Sequence, residues 1–363
     1  MKNYTLLVGL LPAIMVTGAV NAAELYNKNG NKLDLSGQIE GNHYISDDKS
    51  EDGDNSFVRF GLMGETQVND QITGYGFYQA ELTASASEDD GDNGSKTRYA
   101  YAGLKVGDAG SFDYGRNNGI LYDVGGWTDV LPEFGGDSYQ QTDVFMTQRA
   151  GNLATYRNKN FFNLIDGLDF AVQYQGRNDA NDRNKSERNG NGWGMSTTYD
   201  LGMGLSLGAA YSSSERTNKQ KEDGNGDRAN ALSTGLKYDE NNLYLAALYA
   251  QTYNMNLYGG DDRVANKTQN VELVAQYQFE SGLQPSLAWI YSKGKNLGHE
   301  VGSKYYSSEA LANYIDVGAN YHFNKNITAK VDYKINMLDN SAFTKDAEIS
   351  TDDIVSLAIV YQF

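Results

Sequence analysis

Apolar and polar residues alternate with period two in one stretch of this chain after another, a pattern that suits β-strands with two unlike faces and little else. Leu168, Phe170, Val172 and Tyr174 share one face, with Asp169, Ala171, Gln173 and Gln175 on the other. Residues 268–280 repeat it: Val271, Leu273, Ala275, Tyr277 and Phe279 oppose Asn270, Glu272, Val274, Gln276 and Gln278. Further on, Ile315, Val317, Ala319, Tyr321 and Phe323 oppose Asp316, Gly318, Asn320 and His322. Ile327, Ala329, Val331, Tyr333 and Ile335 then oppose Thr328, Lys330, Asp332 and Lys334, and Val355, Leu357, Ile359, Tyr361 and Phe363 end on an aromatic. Any one of these would serve in a soluble sandwich. About sixteen of them, with aromatics at many strand ends, fit instead an even-stranded closed barrel whose outer face meets lipid between two aromatic girdles.

Composition agrees with strands and turns rather than packed helices: among 363 residues, Gly reaches 40 and Tyr 27, against 3 Pro and no Cys. Mean hydropathy is only -0.58, but a barrel wall needs apolar residues at alternate positions alone. Residues 1–22 read as a secretory signal peptide, with Lys2, an apolar run from Leu6 to Val20, and the small-residue site Val20-Asn21-Ala22. The run is short and no basic stop-transfer patch follows, so a membrane anchor fits less well. Elsewhere no apolar run reaches the length of a transmembrane helix, about 18 residues. The mature chain is expected to be residues 23–363. Its formal charge moves from -17 to about -18 with the loss of Lys2. Such acidity disfavours nucleic acid and attracts cations.

Connections alternate short and long, as turns on one barrel rim and loops on the other would. Short ones fall at 69–70, 107–110, 166–167, 202–204, 239–242 and 324–326; long ones at 47–55, 85–95, 117–147, 178–191, 213–228, 254–267, 293–309 and 338–352. Eight long loops imply eight hairpins, hence an all-β, 16-stranded antiparallel transmembrane barrel. The loop at 117–147 carries Ile120, Leu121, Tyr122, Val124, Trp127, Val130, Leu131 and Phe134, too much apolar surface to stand in solvent. Folded against the inner wall, it would bury that face and leave Asp123, Asp129, Glu133 and Asp137 toward water; a solvated acidic loop is the plainer alternative.

Long local matches extend over nearly the whole chain. They include Gly64-Glu65-Thr66-Gln67, the run from Gly110 to Asn117 (GSFDYGRN), the run from Trp127 to Asp137 (WTDVLPEFGGD), Ala154-Thr155-Tyr156-Arg157-Asn158 and the closing Val360-Tyr361-Gln362-Phe363. On these the sequence resembles the enterobacterial general, or matrix, porins of the outer membrane protein C and F type. The resemblance implies a homotrimer in the outer membrane, in contact with its lipid and lipopolysaccharide, and a third loop folded into the lumen as the constriction. It further implies that Asp129, Glu133 and Asp137, with Asp123 beside them, face a cluster of wall arginines: Arg59, Arg98 and Arg149. Arg59 also shares the inward phase with Glu65 and Gln67, opposite Val58, Phe60 and Leu62. The second loop of the family latches onto a neighbouring subunit, and Glu88 and Arg116 are the residues expected in that role.

Two departures bear on function. The family's pattern has a lysine where this chain has Gln38 and a tyrosine where it has Asn118, and a lost lumen cation is expected to strengthen cation preference. Gln79 stands where the family often has a glutamate, with Glu81 nearby to compensate. The acidic stretches 47–55, 88–94 and 222–227 lack full calcium-loop spacing and read as solvated loops. Catalysis would need a set of cooperating groups, and the three histidines, His43, His299 and His322, have no such company in the sequence. The expected function is therefore passive, mildly cation-preferring diffusion of ions and small hydrophilic solutes, without cofactor. A sugar-selective channel or an adhesin remains a rival, and the loops are candidate contacts for phages and colicins.

Overall fold

The computed structural model describes residues 22–87, 94–260 and 263–363. The expected signal peptide thus lies outside the described residues except for Ala22. Alternation does become strand: β1 (Ala23–Lys28), β2 (Asn31–Ser46), β3 (Gly53–Asp54), β4 (Phe57–Gln67), β5 (Ile72–Thr83), β6 (Ser95–Val106), β7 (Gly110–Asn118), β8 (Arg149–Asn158) and β9 (Leu168–Gln175) lead into β10 (Gly192–Gly202), β11 (Leu205–Glu215), β12 (Arg228–Glu240), β13 (Leu243–Tyr253), β14 (Lys267–Tyr277), β15 (Leu283–Val301), β16 (Lys304–His322), β17 (Ile327–Asn336) and β18 (Ile354–Gln362).

Apart from the short β3, which pairs with β2 and not with β4, each strand pairs antiparallel with the next, and the ends meet on β2. β1 pairs with the first part of β2, Lys28 opposite Asn31 and Ala23 opposite Leu35. β18 takes over on the same edge, Gln362 opposite Gln38 and Ile354 opposite Ser46. On the other edge β4 and the short β3 likewise share β2. Eighteen segments therefore fill sixteen positions of one closed antiparallel barrel. Closure is sealed where Gly37 and Phe363 exchange backbone hydrogen bonds of 2.8 and 2.9 Å, so no edge is left unpaired in lipid.

The two phases separate as the alternation predicts. Leu104, Phe112, Val172, Leu207, Leu287 and Ile359 are exposed on the outside, while Gln173, Ser196, Thr252, Asn270, Glu272 and Asp332 are buried within. One expected loop is not a loop. Residues 293–309 continue β15 and β16 as a long ribbon, with register shifts between Ser292 and Lys293 and between Lys295 and His299. Those shifts break the period-two phase, which is why the segment reads as irregular in sequence. His299 consequently sits on a strand and not in a loop.

Candidate functional site at the lumenal constriction

The chain between β7 and β8 folds inward and lies against the inner wall. Its short helix α1 (Tyr122–Gly125) and the flanking Ile120, Tyr139 and Met146 pack on Ala210, Ala231, Leu248 and Ala250. Small wall side chains leave the depth this apolar face needs, and Ile120, Leu121 and Val124 are fully buried. Polar wall groups then pin the backbone. Ile120 N donates to Gln173 Oε1 at 2.8 Å; Tyr244 Oη donates to Trp127 O at 2.6 Å; Gln276 Nε2 donates to Val130 O at 2.7 Å. The Glu272 carboxylate accepts from the Thr128 hydroxyl and from Ser138 Oγ at 2.6 Å, and Asp332 accepts from Glu133 N at 2.8 Å and Phe134 N at 3.1 Å. Buried polar groups must be paired, so pinning at so many points gives the loop a defined place.

The structure brings Arg59, Arg98 and Arg149 together. Arg59 Nε and Arg98 Nη1 both bond Glu81, the latter at 3.0 Å, and Lys96 Nζ reaches the same carboxylate at 2.5 Å. Arg98 Nε also donates to Gln79 at 2.9 Å, so Gln79 and Glu81 together hold the cluster. Arg149 stands beside it, donating to Thr142 Oγ1 at 3.2 Å and lying 5.9 Å from the Tyr99 ring.

The four loop acids do not share one partner set. Asp129 accepts from Tyr122 Oη at 2.7 Å; burial holds its carboxyl above the usual range, with the Tyr122 bond and the charges of Arg149 and Arg98 opposing that rise. Glu133 accepts from Tyr44 Oη at 2.5 Å and is pushed up by burial, with Glu40 adding to the rise and Lys330 opposing it. Asp137 accepts from Tyr314 Oη at 2.7 Å and lies 3.9 Å from Lys334 Nζ. Asp123 is drawn elsewhere: Arg157 Nη1 bonds both its oxygens at 2.8 Å and Ser196 Oγ donates to it at 2.5 Å. It anchors α1 to the wall instead of facing the arginine cluster, because a paired guanidinium sits within reach of the helix on β8.

Gln38 is buried, stands opposite Arg59 in register and donates to Glu40 at 2.6 Å. Asn118 accepts from Tyr99 Oη at 3.0 Å. Arg116 bonds Asp143 with both terminal nitrogens, at 2.7 and 2.8 Å, and Thr97 O at 2.9 Å; in this chain it clamps the base of the loop, while Glu88 lies outside the described residues. In the described acidic stretches, Asp48 accepts from Ser50 N and Asp223 pairs with Arg216. Among the described residues no three His, Asp or Glu side chains converge as metal ligands.

Sequence reasoning missed Glu40, Tyr44, Arg157, Lys330 and Lys334 as members of the site. Lys330 bonds Glu40 at 3.1 and 3.2 Å, and Lys334 lies 4.5 Å from the Tyr314 ring. Their inward phase was visible in the alternation; the height at which they meet the loop was not.

A Gram-negative porin profile matches residues 28–363. The chain belongs to the Gram-negative porins. Outer membrane porin C of Enterobacter cloacae is 57% identical over 364 residues, with 98% of each chain covered. Outer membrane protein F of Serratia marcescens is 53% identical over 378 residues, covering 100% of both. OmpF of Salmonella typhi, solved in complex with daunomycin, superposes with a TM-score of 0.87 at 46% identity over 94% of this chain and 100% of that one. An anion-selective porin from Comamonas acidovorans shares the fold alone, with a TM-score of 0.68 at 16% identity over 92% of this chain and 100% of that one. This porin is accordingly an outer-membrane protein and, like its family, a passive channel and not an enzyme.

Proposed function

We propose that this porin is a general diffusion channel of mild cation preference, passing ions and small hydrophilic solutes down their own gradients through a constriction at its inward loop. One observation carries the reading: Asp129, Glu133 and Asp137 ride on a loop inside the barrel, while Arg59, Arg98 and Arg149 cluster on wall strands β4, β6 and β8. Opposed charges across a narrow passage with low-dielectric walls set a transverse field that orients dipolar solutes and disfavours apolar ones. A porin of the same fold is named for anion selectivity. Reversal potentials across a salt gradient test it. Asp129→Asn with Glu133→Gln is expected to move the potential toward anions, and Gln38→Lys to move it the same way; potentials that stay put in both would refute the reading.

The functional unit is a homotrimer. On the outer face Gly64 stands opposite Gly76, and with Gly74, Tyr26 and Leu33 it lines a shallow groove. A flat strip without side chains suits close approach of a second copy better than contact with acyl chains. Gly64→Trp is expected to abolish a detergent-resistant trimer in native gels; a persisting trimer would argue against this face. The remaining apolar rows meet outer-membrane lipid and lipopolysaccharide. Residues 1–22 are removed on export, which N-terminal sequencing of the mature protein checks.

A further inference from the structure

The inward loop rests on a wall that lacks side chains at one spot. Gly208 on β11 and Gly235 on β12 stand directly opposite one another, and Val124 and Trp127 of the loop fill the space they leave. A Cβ on Gly208 would lie 2.6 Å from Trp127 Cη2 and 3.0 Å from Val124 Cγ2. One on Gly235 would lie 2.8 Å from Val124 Cγ1 and 2.9 Å from Trp127 Cε3. Neither glycine has a positive φ, so the backbone does not require glycine there; the space does. The next inward pair, Ala210 opposite Ser233, already carries side chains.

Trp127 has little freedom to evade an added atom. Its carbonyl is held by Tyr244, Lys237 Nζ lies 5.6 Å from its ring, and the next residue, Thr128, is bonded to Glu272. Behind it is the barrel wall, closed by hydrogen bonds on both sides. The open direction is the lumen. Asp129 follows two residues on, tied back to Tyr122, so a shift at the glycines is passed to the acid that faces the arginines.

We propose that Gly208 and Gly235 form a notch that sets how far the constriction loop stands off the wall, and thereby sets the width of the pore. They are positioning residues, since they act through Val124 and Trp127 and touch no solute. The inference rests on the reading of this loop as the constriction.

Gly208→Ala, Gly235→Ala and the double variant are to be measured as single channels in planar bilayers and by liposome swelling with neutral sugars of increasing size. The double variant is expected to lose about two-fold in conductance, with larger sugars excluded first. Adding Trp127→Ala removes the crowded ring and is expected to restore conductance, a rescue that a folding defect would not show. Trp127→Ala alone adds no atom to the wall and is expected to raise conductance, which keeps the test alive if the double variant fails to assemble. Parental conductance and sugar cutoff in the glycine variants, or no change in Trp127→Ala, would overturn the notch. Glu133→Gln separates the two claims. If it moves the reversal potential while the glycine variants do nothing, the constriction stands and the notch falls; if neither responds, both fall.

Discussion

Lys334 is the residue that most complicates a simple picture of acids on one side and arginines on the other. Its ammonium lies between the rings of Tyr314 and Phe134, at 4.5 and 5.8 Å, and 3.9 Å from Asp137. It therefore offsets the acidic tip of the loop from the acid's own side of the lumen, against the loss of a cation at Gln38. Lys334→Gln is expected to raise the cation-to-anion permeability ratio by about two-fold, read as a reversal potential. A second consequence at this scale concerns pH. Burial raises the carboxyls of Asp129 and Glu133, so on acidification they take up protons before ordinary carboxylates do, while the arginines stay charged. Cation preference should then begin to fall at a pH above the usual carboxylate range of about 4. For stability the sign is the reverse of the usual acid case: the contribution of these two groups is full below the unfolded carboxylate pKa and is lost as pH rises through their folded values. Reversal potentials from pH 7 downward, compared with the Asp129→Asn, Glu133→Gln double variant, check the selectivity half.

At the scale of elements, the loop between β7 and β8 is held by packing and by carboxylates acting as acceptors for its backbone and hydroxyls. Glu272 is fully buried and takes bonds from Thr128 and Ser138. Glu272→Ala leaves Thr128 with Gly125 O alone and takes from Ser138 the acceptor of its N–H and hydroxyl, a loss of about 1–3 kcal/mol. The expected outcome is a noisier open-channel current with little change in barrel content by circular dichroism. Much of this element was legible beforehand. Ile120, Leu121, Val124 and Trp127 announced a buried face, and the arginines were found by local match. Spacing along the loop does not show that Asp123 pairs with Arg157 on β8, since that pairing depends on where the loop meets the wall. The ribbon at 293–309 was misread for a different reason: bulges shift the face of every residue after them, and a bulge leaves no mark in a pattern of polar and apolar letters.

For the whole molecule, closure is the stabilising event, and it occurs at Gly37. A Cβ there would lie 2.2 Å from Cζ of the Phe363 ring, which shows how closely the last residue sits over the first full strand. Gly37→Val is expected to displace that ring, weaken the two bonds that join Gly37 to Phe363, and lower the temperature at which the folded barrel unfolds in detergent gels. By itself the sequence determined the sixteen strands, which side of each meets lipid, and the fact that one loop had to leave solvent, because period-two alternation and burial of apolar area are local properties of the chain. Only the tertiary structure decided which inward residues meet that loop, among them Glu40, Lys330, Lys334 and the glycines behind Trp127, because the height of a residue in the wall depends on the register of every pairing around the barrel.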